Sequence, residues 1–212
     1  MYLINATHFT KEYHIPNVGE INSGASSELE AYIDSEVRLF LQNVLGLELF
    51  TDLDANITNG ILSNTAPDKW KNLVNGIAYE KDGKEYRWRG LTYTEGTFKN
   101  SLLTPYVYYF WLQNQISSMS GVGEVKVSAK NAVSVNSNQR LVKCWNDFVN
   151  QVNGGCGSSV RRYFHRGVMV TDWFGSERSS SYVDLATFLR DNQTDYPNAP
   201  FRFYEYKNQF GL

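Results

Sequence analysis

The chain has 212 residues, with 20 Lys+Arg against 22 Asp+Glu and a pI near 5.9, a balance that excludes a generic polyanion-coating protein. Hydrophobic residues make up 42% and charged residues 20%, which excludes wholesale disorder and allows a real core in one or two small domains. The aromatic share of 15% fits a large core, a sizeable protein–protein interface, or both.

Residues 1–25 read as an extended arm. Ser26 or Ser27 then caps a helix whose first turns carry acids and in which Leu29, Ile33, Val37, Phe40 and Leu41 recur at helical spacing. Gly46 ends or bends it, and Leu47, Leu49, Phe50, Leu53 and Ile57 continue as a second short helix. Ala66-Pro67-Asp68 opens a third, with Trp70, Leu73 and Val74 as its apolar stripe and Gly76 at its end. Between Ile77 and Gly90, IAYEK and KEYRWRG flank Asp82-Gly83, the strongest short hairpin signal, with Lys81, Lys84, Arg87 and Arg89 on an exposed face.

A long helix is predicted from Thr94 to Ser118, with Pro105 kinking it or marking its true first turn. The run Tyr106–Trp111 is apolar or aromatic on every side, so it must be buried by its own domain or by neighbouring subunits. Ser117–Asn138 is a long Ser/Gly/Asn/Val-rich loop, a length that inside a compact domain is usually functional or mobile. Two amphipathic helices follow, Gln139–Val152 and Tyr182–Asp191, and then an aromatic tail. The expected fold class is mainly α, a helical bundle with a β-hairpin insertion near 77–90 and a long inter-helix loop near 118–138. Its domains would be an extended N-terminal arm (1–25), a helical domain (26–192) and a C-terminal docking tail (193–212).

The near-neutral net charge conceals an asymmetry. Residues 1–60 hold nine acids and two bases (−7), residues 61–171 hold seven acids and fourteen bases (+7), and residues 172–212 come to −2. Such blocks can pair copies head to tail, present one sign of charge to a partner, or simply form two solvated faces. The basic centre, with Lys126 and Lys130 in the loop and Tyr86 and Trp88 interleaved on the hairpin, suits a loose electrostatic relation to DNA or lysines protecting a sheet edge.

Catalytic and metal signals are sparse. Cys156 to Arg162 has the Cys-x5-Arg spacing of a tyrosine-phosphatase loop, in which backbone N–H groups and an arginine hold phosphate. Gly155 stands where that family has His, Tyr163 stands where Ser or Thr follows, and a polar helix end replaces the leading strand. His8, His14 and His165 form no zinc signature, and two cysteines are too few for a disulfide framework. The N-terminus lacks a basic region followed by an apolar run, and no stretch is long enough to span a membrane. Nothing assembles a nucleophile, a base and an oxyanion site, so no catalytic residue, metal or cofactor is expected.

One set of motifs recurs in a recognisable order. Leu73-Val74-Asn75-Gly76 is followed by Trp88-x-Gly90-Leu91 on the hairpin, the aromatic helix Tyr106–Asn114, and Gly121-Val122-Gly123-Glu124-Val125-Lys126. Lys143-Cys144-Trp145-Asn146-Asp147-Phe148-Val149 and Phe188–Asn192 running to Tyr196-Pro197-Asn198 complete it. From about Ser27 to Leu212 this order resembles a family of head–tail connector (adaptor or ring) proteins of tailed phages, of the Bacteroidetes and crAss-like type.

The resemblance implies a structural protein of the virion neck, assembled in the bacterial cytoplasm, with no enzymatic activity and no membrane association. Copies would form a ring, most often a dodecamer, between portal and tail or further neck proteins. The ring would extend the DNA channel without sequence-specific binding and support genome retention and ejection. On that reading Glu28, Glu30, Asp34 and Glu36 face a neighbour's Lys84, Arg87 and Arg89, with Tyr108 and Trp111 also at the subunit interface. Lys126 and Lys130 line the channel or clasp the adjacent subunit, and Phe201, Phe203, Tyr204 and Tyr206 dock on the portal or a neighbouring ring. Another virion component, such as a capsid accessory or tail protein, is the alternative, with a Cys-dependent phosphatase-like enzyme a distant third.

Overall fold

The computed structural model describes residues 2–16, 18, 24–116, 118–120, 123–125, 138–153, 163–165, 168–170, 183–201 and 204–207. Helices α1 (Gly24–Leu45) and α2 (Leu47–Ala55) are followed by a small hairpin, β1 (Ile57–Thr58) with β2 (Ile61–Leu62). Helix α3 (Asp68–Asn75) leads into two larger hairpins, β3 (Ile77–Lys81) with β4 (Lys84–Trp88) and β5 (Thr92–Glu95) with β6 (Phe98–Ser101). Then come α4 (Leu103–Ile116), the hairpin β7 (Ser118–Ser120) with β8 (Gly123–Val125), and α5 (Asn138–Val152). A last hairpin, β9 (Tyr163–His165) with β10 (Val168–Val170), precedes α6 (Leu185–Asp191).

The expectation of a mainly α bundle with one hairpin insertion is therefore corrected. The described residues hold six α-helices and five two-stranded antiparallel sheets, a mixed α and β architecture. The largest departure lies at Thr92–Ser101, part of which the sequence assigns to the long helix. Gly96 takes a φ of +62°, which turns the chain, and Glu95 pairs with Phe98 across Gly96-Thr97. Helix α4 begins only at Leu103, whose N–H is accepted by the Ser101 side chain at 3.0 Å, so Pro105 falls in the first turn, where a missing N–H costs nothing. Ile57 likewise leaves α2 for a strand, because Asn59 and Gly60 (φ +54° and +76°) form a two-residue turn. The Asp82-Gly83 hairpin forms as its sequence predicts, with both turn residues at positive φ.

The core gathers around α1, α4 and α5. Leu29, Ile33, Val37 and Phe40 of α1 are fully buried, as is Phe148 of α5, and every residue from Leu103 to Tyr109 is buried. The all-apolar turn of α4 is thus enclosed largely by its own chain. Phe40, Tyr106, Trp145, Phe148 and Tyr204 form one aromatic cluster, with Tyr106 and Phe148 centroids 4.8 Å apart. A second surrounds Phe188, which stacks on Trp88 at 5.3 Å and packs beside Tyr79 and Tyr196. The N-terminal residues add to the core: Tyr2, Ile4, Phe9 and Ile15 are buried around two short 3-10 turns, Ala6–His8 and Lys11–Tyr13.

Candidate interaction surfaces

Helix α5 carries two polar rows beside its buried stripe of Cys144, Phe148, Val149 and Val152. Asn146, Asn150 and Asn153 are spaced i, i+4, i+7, which stacks them on one face. Arg140, Lys143 and Asp147 make a second row at i, i+3, i+7. Each row holds a segment distant in sequence, one N-terminal and one C-terminal.

The asparagine row seats residues 204–207. The Asn153 amide donates to the Tyr204 carbonyl and accepts the Tyr204 N–H, both at 3.1 Å. Asn146 treats Lys207 the same way, both bonds at 2.9 Å, and Trp145 Nε1 donates to the Glu205 carbonyl at 2.7 Å. These five bonds reach main-chain groups from side chains of one helix and of Asn153, which directly follows it, so they recognise a peptide backbone rather than side chains. Side chains add selectivity. The Tyr204 ring packs edge-on to Phe148 at 5.0 Å, the Tyr206 hydroxyl donates to Asn150 Oδ1 at 2.8 Å, and Lys207 Nζ donates to the Tyr109 hydroxyl at 2.6 Å. The same ammonium lies 5.0 Å from the Trp145 ring centroid.

The charged row holds the N-terminal segment. Lys143 Nζ bridges Glu12 Oε2 at 2.5 Å and Asp147 Oδ2 at 2.7 Å, and the Tyr13 hydroxyl donates to Asp147 Oδ2 at 2.9 Å. Arg140 donates to the Glu12 carbonyl at 2.7 Å and lies over the Tyr108 ring, which meets Tyr13 edge-on at 5.6 Å. Burial first, then the adjacent Asp147 charge, pushes the Tyr13 hydroxyl well above the usual tyrosine range, while the paired carboxylates push the Lys143 ammonium up against the opposing effect of burial.

The residues singled out for subunit contacts fall in several places. At about 100° per residue, Glu28 and Glu36 lie on one flank of the buried stripe of α1 and Glu30 and Asp34 on the other, so the four acids do not make one face. Glu30 and Asp34 are exposed, Asp34 pairing with Arg38, which in turn holds Asp54 at 2.7 Å. Glu28 accepts from Gln115 Nε2 at 2.9 Å, and burial raises the Glu36 carboxyl above its ordinary value. On β4 the two-residue period puts Arg87 with Glu85 on one face and Lys84 with Tyr86 and Trp88 on the other. Arg89 follows β4, its guanidinium 5.4 Å from the Tyr93 ring centroid, and with Arg87 it lines a cleft of about 380 Å3 between the two larger hairpins. Lys81 is drawn inward by Asp191 at 2.6 Å. The proposed single basic face is thereby divided.

Tyr108 is 1% exposed and packs within its own core, and Trp111 is half-buried against it. Tyr204 and Phe201 are also half-buried, leaving Tyr206 as the most exposed described aromatic of the tail. Lys126, Lys130, Phe203 and the Cys156–Arg162 stretch lie outside the described residues. Among those described, no group of three or more His, Cys, Asp or Glu could hold a metal ion, and no helix is long and apolar enough to cross a membrane. The asparagine row escapes a reading of the sequence alone, since Asn on an exposed helix face ordinarily meets water and the segment it holds lies about fifty to sixty residues away.

No family model, curated protein or solved structure matches the chain.

Proposed function

We propose that this protein is a structural component of a phage virion, a head–tail connector whose copies form a ring between portal and tail. The observation that carries the reading is the placement of two segments far apart in the chain, Glu12–Tyr13 and residues 204–207, along one helix, α5, held by hydrogen bonds, ion pairs and aromatic edges. A segment near a chain end that is held by a single helix is one a subunit can exchange for the same segment of a neighbour. The order of motifs from Leu73 to Asn198 and the division of charge into an acidic first block and a basic second one support the same role. In this role the ring extends the DNA channel, contacts DNA through charge alone, and offers surfaces to the portal and to tail or further neck proteins.

The test is assembly. Mass photometry and negative-stain images of the purified chain, alone and mixed with a phage portal protein, should show closed rings of uniform size. A monomer that persists under both conditions, at every concentration tried, overturns the reading.

A further inference from the structure

We infer that the asparagine row of α5 is an exchangeable peptide seat, and that in the assembled protein it holds the 204–207 segment of a neighbouring copy. This rests on the ring reading above and names the segment by which copies join. Residues 204–207 make five main-chain hydrogen bonds to Trp145 and Asn146 of α5 and to Asn153, the residue that follows it. Any copy supplies the same backbone, and the same Tyr206 and Lys207 to meet Asn150 and Tyr109. The segment therefore exchanges one set of contacts for an identical set, the condition under which swapping between protomers costs little.

The chain before the seat has a fixed point from which the tail can be redirected. Tyr196 is an anchor: its ring is buried against Trp70 and Phe188, and its hydroxyl donates to the Lys69 carbonyl. Seven residues, 197–203, separate that anchor from Tyr204. Of the described ones, Pro197 and Pro200 are exposed, with Asn198 at a φ of +57° between them, while Ala199 and Phe201 rest on the core, so a departing tail gives up those two contacts. Fully extended, the eight steps from Tyr196 to Tyr204 span about 26–29 Å, close to the width of a small domain. A tail pivoting there reaches outward while Tyr196 and α6 stay in place. Within a ring the high local concentration of neighbouring seats brings occupation in trans within reach of the tail.

The experiment uses the full chain with p-benzoylphenylalanine in place of Tyr206, an exposed residue whose replacement leaves the core intact. Copies grown on 14N and on 15N are mixed in equal amounts before assembly, the assembly state is recorded by mass photometry, and the sample is irradiated and digested. The expected result is cross-links from position 206 to α5 peptides, about half of them joining 14N to 15N. In the background Asn146→Ala with Asn153→Ala, the mixed-isotope signal should fall about tenfold. Rings whose α5 cross-links are all same-isotope, or fall on other elements, overturn the exchange and leave the ring reading standing. A sample with no rings overturns both.

Discussion

Gly76 and Gly90 meet back to back. A Cβ on Gly76 would lie 2.5 Å from the carbonyl carbon and oxygen of Arg89, and one on Gly90 would lie 2.5 Å from the Val74 oxygen. Both residues also sit at left-handed φ, +88° and +97°. Around this contact the Leu73 carbonyl accepts from Trp88 Nε1 at 2.9 Å and from the Leu91 N–H at 3.0 Å. The Leu73–Gly76 and Trp88–Leu91 motifs are therefore two halves of one joint, which fixes both larger hairpins to the end of α3. Gly90→Ala combines a backbone clash with a strained φ, and should cost more than about 3 kcal/mol. Gly83→Ala, at φ +72° but with nothing within 4 Å of the new methyl, should cost only about 1 kcal/mol. Urea denaturation of the two variants measures the difference.

The tail seat makes a local prediction. Asn153 is 5% exposed, and truncating it removes its two hydrogen bonds to the Tyr204 main chain. Asn153→Ala should cost about 1–3 kcal/mol, whereas Tyr206→Phe, which removes an exposed hydroxyl contact, should cost less than about 0.5 kcal/mol. Hydrogen exchange resolves where the loss falls. The Tyr204 and Lys207 amides should exchange roughly tenfold or more faster in Asn153→Ala, while buried amides of α1 change only with global stability.

These two sites differ in how far the amino-acid sequence reveals them. Asp82-Gly83 between alternating strands announces its hairpin because the turn chemistry is local, and α1 follows from the spacing of Leu29, Ile33, Val37 and Phe40. Thr92–Ser101 misleads because Phe98, Leu102 and Val107 extend the apolar pattern of α4 backwards, and Gly96 alone does not outweigh it until Glu95 pairs with Phe98. Tyr2, Ile4, Phe9 and Ile15 have no period at all, and their burial is decided by the helices they meet. The seat on α5 is less legible still. Asn146, Asn150 and Asn153 acquire their role from a segment about fifty to sixty residues away, which no local rule connects to them.

Alkaline pH should destabilise the fold through its buried tyrosines. Tyr2, Tyr13 and Tyr79 are raised above the ordinary phenol range, first by burial and then by the carboxylates of Asp54, Asp147 and Asp191 that accept from them. Because the folded value lies above the unfolded one, their contribution is complete below about pH 10 and is lost as pH rises beyond it. Each such group should lower stability by up to about 1.4 kcal/mol per pH unit in that window. Urea midpoints should be flat between about pH 8 and 9 and drop steeply by about pH 11, with Tyr13→Phe making the drop shallower.

The ion pairs of the N-terminal segment should matter less than their number suggests. Lys143 is 56% exposed and its partner Glu12 50%, so screening by water and salt limits the pair. Glu12→Gln should cost no more than about 1 kcal/mol, with the loss shrinking further at high salt. Asp147→Ala should cost more, because it removes the acceptor of Tyr13 together with a partner of Lys143. A double-mutant cycle between Tyr13→Phe and Asp147→Ala should return a coupling of about 0.5–1.5 kcal/mol.

Cys144 offers a readout of how tightly α5 is held. Its side chain faces the core at 2% exposure, and its thiol donates to the Leu141 carbonyl at 3.1 Å. Burial pushes the thiol up to about 12, against a free value of about 8.5, so the reactive thiolate is almost absent at neutral pH. In a Cys156→Ser chain, which leaves Cys144 as the sole thiol, a disulfide reagent at about pH 8 should label nothing in the native state and one thiol in denaturant. Slow labelling under native conditions then measures opening of the helix, and each 1.4 kcal/mol lost from its packing should raise that rate about tenfold. Asn153→Ala should accelerate labelling, since Tyr204, whose backbone Asn153 holds, packs on Phe148 on the same buried side of α5 as Cys144. A native Cys144 that reacts as fast as a free thiol would mean that α5 is not seated in the core.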